Sequence, residues 1–125
     1  MPVRWTTSHA ERLVTVRAEG PVVLKDIEAY FDDLVTSNAM PYAKLFDARD
    51  VEPRLSDADM MLLGARVSAY SAMDPRGPVA AVVNSDAAFA IVSRFANLGS
   101  AERPLKIFWT VDEARLWLDL QPDVP

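Results

Sequence analysis

The sequence predicts one α/β domain built on a mostly parallel mixed sheet of about five strands, with helices packed on it. Three observations carry that reading. Residues 1–20 alternate apolar and polar positions, as in Val3-Arg4-Trp5-Thr6 and Val14-Thr15-Val16-Arg17-Ala18, which is the period of half-buried strands. From Leu24 onward, stretches with apolar residues every three or four positions alternate with short apolar runs. Clusters rich in proline and glycine punctuate the alternation. The order β-β-α-β-α-β-α-β-α implies right-handed crossovers and parallel strands, with the opening hairpin as an antiparallel edge.

The elements follow in order. Strands Val3–Thr7 and Val14–Ala18 are joined by a polar connection at Ser8–Glu11, and Gly20-Pro21 closes the second because proline cannot extend a ladder. Leu24, Ile27, Phe31, Leu34 and Val35 form the inner stripe of a first helix that ends near Ser37-Asn38, before Met40-Pro41. A strand at Ala43–Asp47 leads into a polar connection, Ala48–Leu55. Ser56 caps the second helix with Asp59 at capping-box spacing, and Met60, Leu63, Val67 and Tyr70 line it as far as about Met73. Asp74–Pro78 is a breaker. Val79–Val83, apolar on both faces, reads as a central strand. Asn84-Ser85-Asp86 caps a third helix with the stripe Phe89, Val92, Phe95 and Ala96, and Gly99-Ser100 stops it. Pro104 introduces the last strand, Leu105–Trp109. Thr110 and Glu113 then open a final helix lined by Ala114, Trp117, Leu118 and Gln121, and Pro122 and Pro125 end the order.

The totals narrow the function classes. A chain of 125 residues makes one domain, 1–125, and half of its residues are hydrophobic. A formal charge of −5 gives no footprint for nucleic acid. With no cysteine, disulfides, thiolate metal sites and thiol nucleophiles are excluded. Arg4, Glu11, Arg12 and Arg17 interrupt the first twenty residues, so no secretory leader is visible, and no apolar run approaches a membrane span. These features predict a cytoplasmic protein.

The stretch Ala43–Asp59 is the first place to look for a site, because ligands of open α/β sheets sit beyond the carboxyl ends of strands and at helix N-termini. Asp47 ends a strand there, and Asp50, Glu52, Asp57 and Asp59 are near in sequence. Together they are a candidate magnesium set. Against that, the chain has only four glycines and nothing like a phosphate-cradling loop, so a loop anchor is the better reading of Asp47. Ser56 is a helix cap first and a phosphorylation site or nucleophile second, since the sole histidine, His9, lies in the opening hairpin. The acids, with Arg49, Arg54 and Ser56, make the candidate interaction or switch surface: Asp47, Arg49, Arg54, Ser56, Asp57 and Asp59. Arg76, beside Gly77, is a candidate anion contact. Trp5, Trp109, Trp117, Phe89 and Phe95 read as core or a dimer surface before they read as a ligand pocket, and Met60-Met61 as core filling.

The opening strand ending in Glu19-Gly20 carries a resemblance, as do KLFDARDVE (Lys44 to Glu52), LSDADM (Leu55 to Met60), PRGPVAAVVNSD (Pro75 to Asp86) and RPLKIFWTVDEARLWL (Arg103 to Leu118). The chain resembles the small bacterial SpoIIAA-like family, whose fold is related to STAS domains and has been likened to CRAL-TRIO lipid-binding domains. In STAS regulators a phosphorylatable serine follows a strand-end Asp at the start of the next helix, and Asp47 and Ser56 occupy comparable places. Here the Asp-Ser-Ser of those regulators, with its following Gly, is replaced by Leu55-Ser56-Asp57-Ala58, and Asp57 repels an incoming phosphate. A Thr frequent in relatives is replaced at Val23-Leu24. The resemblance implies a non-catalytic regulatory or protein-interaction domain without a cofactor, its partner being another protein or a second copy of itself. The alternative it implies is a binder of a small apolar ligand such as a lipid. A phosphate-handling enzyme using the acidic loop ranks last.

Overall fold

The computed structural model describes residues 2–73, 77–98 and 105–121. The main sheet has five strands in the order β1-β2-β4-β6-β7. They are β1 (Val3–Ser8), β2 (Leu13–Ala18), β4 (Ala43–Asp47), β6 (Val79–Val82) and β7 (Leu105–Phe108). Two short strands, β3 (Gly20–Val22) and β5 (Val51–Pro53), pair with each other in a separate sheet. The helices are α1 (Leu24–Thr36), α2 (Asp57–Met73), α3 (Asp86–Leu98) and α4 (Val111–Asp119). Only β1–β2 is antiparallel; every other pairing in the main sheet is parallel. The mostly parallel sheet with its antiparallel edge is therefore as the sequence predicts.

The alternation of residue types decides which face each side chain takes. Val14, Val16 and Ala18 of β2 are buried on one face, where Tyr30, Phe31 and Leu34 of α1 and Met60, Leu63 and Val67 of α2 complete the larger core. Leu45, Ala80 and Val82 point to the other face, covered by Ala114, Trp117 and Leu118 of α4. All four residues of β6 are buried, in keeping with a central strand covered on both sides. Lys44 interrupts this apolar scheme. It is 2% exposed, and its ammonium donates to the carbonyls of Met40 and Tyr42 in the loop after α1. A buried charge is tolerated only with such partners.

Gly20-Pro21 closes β2 as expected but begins a short strand of its own, and Ala48–Leu55, expected as a connection, is not wholly loop. Gly20↔Val51, Pro21↔Glu52 and Val22↔Pro53 form a short parallel ladder, in which prolines are accommodated because each strand is an edge. Within Asn84-Ser85-Asp86 the cap of α3 is Ser85, whose Oγ accepts from Ala88 N–H at 3.1 Å, while Asn84 turns to Asp50. The helix stripes also shift, since Val35 and Phe89 are exposed while Tyr30 and Ala88 are buried. At Val23 the side chain offers no acceptor, so only Asp26 completes the first turn of α1, accepting from Val23 N–H at 2.9 Å. The readings placed on Asp74–Arg76, Gly99–Pro104 and Pro122–Pro125 lie outside the described residues.

Gly77 is required by its surroundings. A Cβ there would stand 2.2 Å from the Tyr42 carbonyl oxygen and 2.4 Å from that of Pro41, so the chain entering β6 presses directly on the loop after α1.

Candidate functional site

The parallel register of β2 and β4 sets Arg17 opposite Asp47, and a network grows from that pair. Arg17 lies 3.0 Å from Asp47 Oδ1 and 3.0 Å from Asp50 Oδ2, and it donates to the Arg49 carbonyl. Arg49 grips Asp47 with both guanidinium edges, Nε to Oδ1 at 3.0 Å and an Nη to Oδ2 at 2.9 Å. Its backbone N–H also donates to Asp47 Oδ1. Glu19 and Arg4 extend the chain of ion pairs. Asp50 adopts φ +67°, a left-handed turn position that Asp tolerates, and Asn84 fixes it with two hydrogen bonds.

Electrostatics follow from these contacts. Burial pushes the Asp47 carboxyl upward, but hydrogen bonds from the Arg49 side chain and backbone, with the nearby charges of Arg17 and Arg49, outweigh it and hold the group below the ordinary range. Asp50 is also held low, first by the Asn84 hydrogen bond and then by Arg17. The three arginines and three acids of the network cancel. Asp47 is thus a clamp on the loop 48–50, and binding a cation there would require displacing two arginines. Among the described residues no three His, Asp or Glu side chains come together as a metal-holding group.

The remaining candidates separate from this network. Arg54 pairs with Glu52 at 2.7 Å at the surface, and its backbone N–H donates to Val22, closing the small ladder. Ser56 and Asp59 form the expected reciprocal cap: Ser56 Oγ accepts from Asp59 N–H at 3.1 Å, and Asp59 accepts from Ser56 N–H at 2.9 Å. Asp57 reaches across to Arg94 of α3 at 2.7 Å. His9 lies 2.8 Å from the Tyr42 hydroxyl. Arg76 lies outside the described residues.

Sequence reasoning missed a second feature. Between the sheet and helices α1–α3 is a cavity of about 120 Å³. Its floor includes Ala18, Phe46 and Ala81, its roof Phe31, Leu63 and Phe95, and its ends Lys44 and the β3–β5 pair. Of the aromatic residues weighed as a pocket lining, only Phe95 reaches it. Trp5 donates to Asp33 at 2.7 Å, Trp117 packs on Phe108, and Phe89 stacks on Trp109 near the surface. The available signal was the set of alanines at inward strand-end positions beneath bulky helix residues, together with a lysine inside an apolar strand.

No protein-family model matches the chain, and no curated protein matches it. Among solved structures it is similar to an uncharacterised protein of the DUF3478 family with a SpoIIAA-like fold from Shewanella loihica PV-4. The match has 20% identity and a TM-score of 0.61, over 93% of this chain and 91% of the other. At that identity the likeness speaks to architecture alone. The chain has the SpoIIAA-like fold.

Proposed function

We propose that this protein is a non-catalytic binding module with a STAS-like fold, and that it holds a small apolar molecule between the sheet and helices α1–α3. The cavity carries this reading. Its lining residues are apolar apart from Lys44 and Tyr30, and apolar pockets with few polar groups are the usual form of small-molecule sites. Its volume of about 120 Å³ approaches that of apolar cavities that stay dry and take up benzene, about 150 Å³. That size suits one ring or a short alkyl chain and not a two-chain lipid. The strand-end acids support catalysis less well, because Asp47 is already clamped by Arg17 and Arg49.

The test uses benzene, indole and hexanol as probes. At ten times the dissociation constant, binding adds about 1.4 kcal/mol and raises Tm by roughly 5 °C for a domain of this size. Amide shifts should centre on Ala81, Leu63 and Ile91. The Ala81→Val variant, which fills part of the cavity, should keep or gain stability and lose the response. Unchanged Tm and amide shifts with all three probes at saturation, together with a bare mass for the protein under native mass spectrometry, would overturn the reading.

A further inference from the structure

Helix α2 has no polar face. Met60, Leu63 and Val67 are buried in the core, yet Met61 is 71% and Leu62 55% exposed. Ala58, Ala65, Ser68 and Ala69 are exposed beside them. Between Asp59 and Arg66 the helix carries no charge. A surface helix ordinarily turns a polar stripe outward, and one that is apolar all round is covered. We propose that the outer face of α2 is covered by the same face of a second copy of this chain, the two helices running antiparallel about a two-fold axis through Ala65.

Side-chain size singles out this occupant. In an isologous pair, residue i meets j and j meets i. With Ala65 on the axis, Met61 faces Ala69 and Leu62 faces Ser68, so each large side chain meets a small one. The two Ala65 residues let the helices approach to about 8 Å between axes, the short end of helix packing. Moving the axis one turn toward the N-terminus would set Met61 against Leu62, large against large. The flanks are already fixed, by Arg66 to Glu28 and Asp32 on α1 and by Asp57 to Arg94 on α3. The face is therefore presented on a held helix.

Charge agrees with a second copy, and area sets how weakly it is held. Helices that lie on membranes carry a rim of Lys and Arg, whereas α2 has Arg66 alone, with Asp57 and Asp59 at its start, in a chain of net charge −5. From Ala58 to Ala69 the face runs about 17 Å. A pair of such faces buries roughly 800 Å² in total, below the roughly 1,000 Å² that a stable interface clears, so the pair is a weak dimer that forms only as the protein concentration rises. This inference concerns the opposite side of α2 from the cavity and stands independently of it.

The chain has no cysteine, so introduced ones report the register. Sedimentation equilibrium of the wild type should show the mass rising from one protomer toward two across the micromolar range. Ala65→Cys should oxidise readily to a covalent dimer, and a mixture of Met61→Cys and Ala69→Cys chains should cross-link to each other faster than either does to itself. Ala10→Cys, exposed in the hairpin turn, sets the background rate. The double variant Met61→Lys, Leu62→Lys should be monomeric with an unchanged circular dichroism spectrum. A concentration-independent monomer mass for the wild type, a dimer that survives the double variant, or Ala65→Cys cross-linking at the Ala10→Cys rate would overturn the proposal. So would a monomeric wild type whose binding to phosphatidylcholine–phosphatidylglycerol vesicles is lost in the double variant, which would give the face to a bilayer.

Discussion

Asp47 sits where an open α/β sheet most often keeps its chemistry, and its surroundings turn it to structural use. Two arginines and a backbone N–H satisfy both of its oxygens, which leaves little basicity for acid–base work. Its folded-state pKa lies below the ordinary value of 3.8. A carboxyl lowered on folding contributes stability above its unfolded pKa and loses it as the pH falls through the folded value. Asp47→Asn should therefore cost about 1–2 kcal/mol at pH 7, the range for a hydrogen-bonded charge at a partly buried site. The difference from wild type should shrink below about pH 4. Urea denaturation at pH 7 and pH 3 measures both, and an equal penalty at the two pH values would show that the charge is not what stabilises the loop. The position of Asp47 was legible in the sequence because an apolar run ends there. Its partner Arg17 was not, since only the β2–β4 register makes them neighbours.

At the scale of the element, the start of α2 shows local chemistry surviving into the fold. Ser56 and Asp59 satisfy each other's backbone N–H groups as the Ser-Asp spacing predicts. Ser56→Ala should lower stability by about 1 kcal/mol, and Ser56→Asp, which keeps an acceptor at the cap, should recover most of it. Thermal denaturation distinguishes them, and equal losses in both variants would mean that the hydroxyl serves something other than the cap. Helices and long strands were legible because their periods differ. The β3–β5 pair was not, because three residues containing a proline carry no period and their partner lies in another connection. The stripe of α3 was misplaced for a related reason: Ala88, small enough to sit against Ala48 and Val83, faces inward, and the bulkier Phe89 stacks on Trp109 outside. In α2 the inner stripe of Met60, Leu63 and Val67 was legible, but Met61, read with Met60 as core filling, lies on the exposed side of the helix.

For the molecule as a whole, the division of labour runs through the sheet. One face carries α4 alone on Leu45, Ala80 and Val82, while the other carries three helices and the cavity. The cavity was missed because it is the space left by residues from nine elements and the loops between them, and the alanines that signal it, Ala18, Ala48 and Ala81, stand in separate stretches of the chain. The β3–β5 ladder at its end has a consequence for the order in which the chain assembles. Gly20–Val22 follows β2 and Val51–Pro53 follows β4, so these segments meet only after β2 and β4 are in register, and they add only three residue pairs. The ladder is thus the last part of this end to form and the first to part in a sub-global opening. The amide protons of Gly20 and Arg54, which bridge to Asp50 and Val22, should exchange well ahead of those in β4 and β6. Protection at those two amides equal to that of the central strands would contradict this. Such an opening would admit solvent to the interior through one end while the sheet stays whole, a route by which the proposed ligand could exchange without global unfolding.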